Sequence, residues 1–174
     1  MNVLESFSLK GKVALVTGGA GLYGRQIVEA LAEAGAETYI ASRNLESLQQ
    51  VAKEENARGY NVTAMQLDLS QDESIEKLHS DIITKSGKCD ILINNAVSRE
   101  FGSAGWKNTL DDFDKSLRIN ASALFKITQM FAEDMKKNNS GSIINIGSQA
   151  AITGQPFLSS YSLSKGALAT LTKN

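Results

Sequence analysis

The chain has 174 residues, 42% hydrophobic and 21% charged, with a formal net charge of −1. That length suits one domain with a real core, and that charge argues against nucleic acid or an anionic membrane surface as the main partner. Cys89, alone, excludes an internal disulfide and a cysteine-cluster metal site. No run approaches membrane-spanning length and the start MNVLESFSLKGK lacks a signal peptide's apolar stretch, so a cytoplasmic protein is expected.

KVALVT, residues 12–17, reads as the first strand. It runs into VTGGAGLYG, in which Gly19, Gly21 and Gly24 spell G-x-G-x-x-G between a strand and a helix. Small residues there let backbone N–H groups approach a pyrophosphate at the helix N-terminus, where the dipole favours negative charge. Gly24, Ile27, Val28 and Leu31 form one helical stripe, so Gly24 also permits close helix–strand packing. The bland alternative is a tight turn needing only positive φ.

TYIAS, residues 38–42, is the second strand, and it ends on Ser42 and Arg43. A carboxylate at that point would accept a ribose 2′-hydroxyl, whereas an arginine suits a 2′-phosphate. NADP is therefore the expected cofactor, with NAD as the alternative. The third strand, VTAMQL, is followed by Asp68 and Leu69, and Ile75, Leu78 and Ile82 repeat a helical stripe. Cys89 precedes the fourth strand, DILIN, and reads as a buried, inert thiol. That strand ends at Asn94 and Asn95.

After Asn108, the residues Phe113, Leu117, Leu124, Ile127 and Phe131 read as one helical face, closed by the basic pair Lys136 and Lys137. Asn120 interrupts this apolar stripe. A buried amide needs partners, through either a hydrogen bond to a neighbouring loop or a bend that anchors water. SIINIG is the fifth strand, with Ser148 beyond it, and Pro156 lies in the loop before the last helix. Strict alternation predicts an α/β fold, a doubly wound parallel sheet with helices on both faces. Gly18, Ser42, Asp68, Asn94 and Ser148 then share one sheet edge, where ligands of such sheets bind. His79 falls on a helix away from that edge, and without a second histidine or cysteine cluster no metal is expected.

YSLSK puts Tyr161 and Lys165 on one helix face, a pairing that alone decides nothing. Together with what precedes it, the pair resembles the short-chain dehydrogenase/reductase family across essentially the whole chain. TGGAGLYG is similar to the family's glycine motif, and NNAV to its NNAG. Asn120 in RINAS matches its helix asparagine, and Ser148 in IINIGS its strand-five serine. Tyr161 and Lys165 match its Tyr-x-x-x-Lys, thirteen and seventeen positions beyond that serine.

The resemblance implies a Rossmann-like fold and oxidoreduction of a secondary alcohol and a carbonyl with NADP or NAD. Tyr161 would be the general acid/base, and Lys165 would hold the nicotinamide ribose and supply charge. Ser148 would bond the reacting oxygen and Asn120 support a water relay. Gly18, Gly21, Leu22 and Gly24 would form the phosphate turn. Ser42, Arg43, Asp68, Leu69, Asn95 and Ala96 would line the adenosine half. A free phenol titrates near pH ~10, so work near neutrality requires a depression of roughly three units, about 4 kcal/mol. A lysine charge about 5 Å away at an effective dielectric of about 20 supplies roughly 3 kcal/mol of it.

Two positions depart from the shorter branch of the family. Leu22 stands where its middle glycine is expected, and Val97 replaces the glycine of NNAG, narrowing the wall near the adenine ribose. The family also continues past this point with further strands and a substrate-covering segment. Residues 1–174 are thus expected to be one dinucleotide-binding and catalytic domain, incomplete at the C-terminal end. An unpaired apolar edge follows, and a homo-oligomer, dimer or tetramer, is expected at full length. The loops 97–108 and 149–160 should flank a small alcohol or carbonyl substrate, with Trp106, Phe157, Ser159 and Gln155 as candidate contacts. Their polar content favours a sugar acid or small polyol. The rivals are a non-catalytic NAD(P)-binding module and an inactive fragment.

Overall fold

The structure, a computed structural model, describes residues 2–100 and 105–173. A short helix α1 (Val3–Ser6) precedes β1 (Val13–Thr17), α2 (Leu22–Glu33), β2 (Glu37–Ser42), α3 (Leu45–Ala57) and β3 (Val62–Gln66). Then come α4 (Asp72–Ser86), β4 (Ile91–Asn94), a 3₁₀ turn at Gly105–Lys107 and α5 (Leu110–Leu117). A π turn, Arg118–Ser122, joins α5 to α6 (Ala123–Lys137), and β5 (Ser142–Asn145), α7 (Ala150–Thr153) and α8 (Ser159–Leu171) close the order. All five expected strands are present, and they pair in parallel in the order β3-β2-β1-β4-β5.

The β1 strand is buried along its whole length, as an apolar run covered on both faces must be. Val16, Ile40 and Ile93 face one side, where Val28 of α2 and Leu48 and Val51 of α3 close over them. Leu15, Leu67 and Leu92 face the other side, against Ile75 and Leu78 of α4 and Leu124, Ile127 and Phe131 of α6. Cys89 belongs to this second layer, and burial pushes its thiol up to about 12, as expected of an inert side chain. The sheet order reverses between β1 and β4, and a crevice opens at the carboxyl ends of such a switch point.

At the amino ends of the strands a clamp closes the sheet. Asp90 accepts a hydrogen bond from the Val13 N–H at 2.9 Å and pairs with Lys88 at 2.9 Å and Lys12 at 3.4 Å. The outermost strand on the other side is β5, and its two faces differ. Ile143 packs against the α4–α6 layer, while Ile144 on the opposite face is 49% exposed.

One expectation needs correction. Residues 109–137 are not a single straight helix. The Ala123 N–H reaches the Arg118 carbonyl, an i→i+5 bond that inserts one extra residue into the helix and shifts its stripe. Phe113 and Leu117 are consequently only half-buried, whereas Leu124, Ile127 and Phe131 lie in the core.

Candidate active site

The glycine turn is built on the end of β1. Gly18 sits at φ 71°, and a Cβ there would press on Ala96 Cα and Asn95 Nδ2, each at 3.0 Å. A Cβ on Gly24 would overlap the Gly18 carbonyl, so α2 can start this close to the turn only without one. Asn95 Nδ2 donates to the Thr17 and Gly18 carbonyls, both at 3.1 Å, and Thr17 Oγ1 accepts from the Asn95 and Ala96 N–H groups. Thr17 is therefore part of the scaffold. Sequence reasoning missed it because a threonine ending an apolar strand looks like any other.

Helix α2 begins without a side-chain cap and without an acidic residue in its first turn. Helix α3 is capped by Asn44 and α5 by a reciprocal Thr109–Asp112 pair, while α4 and α8, like α2, have no side-chain cap. An uncapped N-terminus opening on a crevice leaves N–H donors and a favourable dipole for an anion. Next to it, a cavity of about 270 Å³ is lined by Gly18, Ser42, Arg43, Asp68, Leu69, Ala96 and Val97. Every adenosine-side candidate except Asn95 thus faces one cavity. Ser98 also lines it, and its buried hydroxyl has no hydrogen-bond partner among the described residues. Asp68 Oδ1 accepts from the N–H and hydroxyl of Ser70. Arg43 is exposed and lies 3.9 Å from Glu100 across the mouth.

The neighbouring crevice, about 480 Å³, runs from Gly18, Gly21 and Leu22 past Asn95 to Tyr161 and Lys165. Tyr161, Ser164, Lys165 and Leu168 form the buried stripe of α8, which puts both reactive candidates on the sheet side. Lys165 Nζ donates to the Ile146 carbonyl at 2.6 Å and lies 5.9 Å from the Tyr161 ring centre. Burial first, and the nearby Arg99 guanidinium second, hold the Lys165 ammonium below the ordinary lysine range. The Arg99 guanidinium is 5.7 Å from the Tyr161 ring centre and lines the same crevice. Sequence reasoning passed over it, although a cation four places after Asn95 was the available signal.

Ser148 and Asn120 lie off the crevice lining. Ser148 follows Gly147, which lines the crevice, but Ser148 is not on that lining, and its hydroxyl accepts from the Ala150 N–H at 3.2 Å. Asn120 is buried, and its side chain bridges Ser98 in both senses: it accepts from Ser98 N–H at 2.8 Å and donates to Ser98 O at 2.7 Å. The loop-anchoring account of Asn120 and the bent helix therefore hold together.

Of the loop 97–108, residues 101–104 lie outside the described residues. Trp106 is 89% and Phe157 77% exposed, and neither lines the Tyr161 crevice. The Ser159 hydroxyl donates to the Gly105 carbonyl. His79 pairs with Asp134 at 2.6 Å, and no cluster that could hold a metal ion occurs among the described residues. No described helix is long and apolar enough to cross a membrane.

Against known proteins, residues 12–174 match a family model described as short chain dehydrogenase. A 2-dehydro-3-deoxy-D-gluconate 5-dehydrogenase of Bacillus subtilis is 35% identical over 176 residues, covering 98% of this chain and 66% of the relative. A 7α-hydroxysteroid dehydrogenase solved with NADH and 7-oxo glycochenodeoxycholic acid superposes with TM-score 0.92 at 30% identity, over 98% of this chain and 66% of its own. A metagenomic short-chain oxidoreductase solved with NADP gives TM-score 0.89 at 30% identity, over 95% and 75%. The chain spans just under two thirds of the first curated relatives it matches, 64% to 66%.

Proposed function

This chain belongs to the short-chain dehydrogenase family, and from that premise we propose that it interconverts a secondary alcohol and a carbonyl with NADP, or alternatively NAD. The carrying observation is that buried Tyr161 and Lys165 share one crevice with the glycine turn and the open N-terminus of α2. Residues 1–174 are read as one cofactor-binding and catalytic unit.

The residues fit a dinucleotide. The uncapped turn would receive the diphosphate, and Ser98, whose buried hydroxyl has no partner among the described residues, belongs to the lining of the adenosine cavity. Arg43 at its mouth suits a 2′-phosphate, the basis for placing NADP first. Asp68, Leu69, Ser42 and Ala96 form the remaining wall. When bound, the nicotinamide supplies the acceptor or donor of a hydride. Tyr161 exchanges the proton of the reacting oxygen, taking it in oxidation and returning it in reduction. Lys165, fixed by the Ile146 carbonyl, stabilises the phenolate that this exchange passes through. Ser148, next to the crevice-lining Gly147, would bond the reacting oxygen once its hydroxyl is released from the Ala150 N–H. Asn120 acts by holding the Ser98 loop that forms the crevice wall.

The substrate is a small alcohol or carbonyl compound, with sugar acids and polyols favoured by the polar loops around the site. A cytoplasmic location and a homo-oligomer, dimer or tetramer, complete the reading. The exposed Leu163 on α8 and Ile152 on α7 give the apolar surface such contacts use. Fluorescence titration with NADPH and NADH, followed by assay of carbonyl reduction, tests it. Tyr161→Phe should leave cofactor affinity within about twofold while turnover falls about a thousandfold. Binding without any turnover would favour a non-catalytic nucleotide module instead.

A further inference from the structure

We infer that Arg99 anchors a carboxylate of the substrate, so that the crevice takes short hydroxy or oxo acids; this rests on the oxidoreductase reading above. Arg99 lies on the loop after β4, is exposed, and places its guanidinium 5.7 Å from the Tyr161 ring centre on the lining of the crevice. Among the described residues it forms no ion pair. Other arginines are paired: Arg43 with Glu100 and Arg118 with Asp72. Among the described residues, no aspartate or glutamate lines this crevice. An arginine keeps its charge throughout the physiological range. Here it faces a second cation, Lys165, whose charge it already disfavours.

Such a pair of like charges around one phenol needs an anion to offset it. In a ternary complex with NADP the 2′-phosphate would be met by Arg43 at the adenosine cavity. The cofactor diphosphate has its own donors at the opposite wall, in the glycine turn and the open N-terminus of α2. Lys165 is held by the Ile146 carbonyl and is set back in the protein. Arg99 lines the crevice with its guanidinium over the Tyr161 ring and with no ion pair among the described residues, and its planar fork matches a carboxylate through two parallel hydrogen bonds. The guanidinium lies over the ring, beside the phenol. A carboxylate bound there therefore sits a few bonds from the carbon whose oxygen meets Tyr161. That spacing describes a hydroxy or oxo acid, sugar acids among them.

The test separates binding from turnover. With NADP or NADPH saturating, calorimetry would measure binding of short sugar acids and simple hydroxy acids, each against its own primary amide. In the wild-type chain at least one acid should bind about thirtyfold more tightly than its amide, the range of charge-assisted hydrogen bonds. In Arg99→Gln that preference should fall below about threefold with NADP affinity unchanged, and Arg99→Lys should restore part of it. Equal binding of acids and amides by the wild type overturns the inference, and so does a failure of every acid to bind. So does a preference that survives Arg99→Gln while NADP affinity falls, which would assign the cation to the cofactor. The oxidoreductase reading fails separately, when neutral alcohols and acids alike show no hydride transfer that Tyr161→Phe removes.

Discussion

The two ends of the crevice are built from different materials. The end near the glycine turn is made of main chain: Asn95 and Thr17 knit the tips of β1 and β4 together, and the turn presents N–H groups in place of side chains. The reacting end is made of side chains: Tyr161 and Lys165 project from one helix, the lysine held by a single carbonyl and by packing, with Arg99 added from the loop after β4. A main-chain cradle is damaged chiefly by adding atoms to it. A side-chain site is damaged by removing them.

Two substitutions should break this contrast most visibly. Tyr161→Phe deletes one oxygen, and turnover should fall about a thousandfold with NADPH binding intact. Gly24→Ala adds one carbon where the Gly18 carbonyl already stands. It should weaken NADPH binding about a hundredfold, measured by fluorescence titration, with the circular dichroism spectrum retained. If each affected both quantities equally, the two ends would not be separable.

Asn120→Ala should come next. It strips both hydrogen bonds from the Ser98 backbone and should cost roughly 2 kcal/mol in urea denaturation. Arg43→Ala sharpens the picture of the first end: NADPH affinity should fall about tenfold while NADH affinity holds, and Glu100→Gln should move NADPH the other way. Equal weakening of both cofactors by Arg43→Ala would remove the proposed phosphate contact.

The smallest effect lies at the clamp on the far side of the sheet. Burial works against the Asp90 carboxylate, but the Lys88 ammonium, the Val13 N–H and Lys12 outweigh it and leave the group below the usual carboxylate range. A folded-state value below the unfolded one gives stability that is complete above about pH 5 and lost as pH falls through the folded value. Asp90→Asn should therefore cost about 1 kcal/mol at pH 7 and flatten the acid limb of the melting-temperature profile. A parallel shift at all pH values would remove the charge from the account.

Legibility in the sequence divided along the same line. The three inner strands, β2, β1 and β4, could be read because strands buried on both faces are almost continuously apolar, and the glycine turn because only small residues fit it. Tyr161 and Lys165 could be placed on one stripe because helical spacing demands it. The π turn at Arg118–Ser122 was illegible: the apolar residues on either side satisfy an uninterrupted helix, and one inserted residue leaves no compositional trace. Asn120 marked the spot without revealing the reason. The turn of Ser148 toward Ala150, and the pairing of Arg43 with Glu100 across the cavity mouth, depend on side-chain directions that no periodicity carries.

The buried sulfur of Cys89 gives the molecule a built-in reporter. With its titration near 12, the thiol is scarcely nucleophilic while the chain is closed, so an alkylating reagent at neutral pH reads how often the layer beneath α4 comes apart. Since anything bound only by the closed form makes such openings rarer in proportion to occupancy, the labelling rate doubles as a ligand titration that requires no chemistry at the crevice.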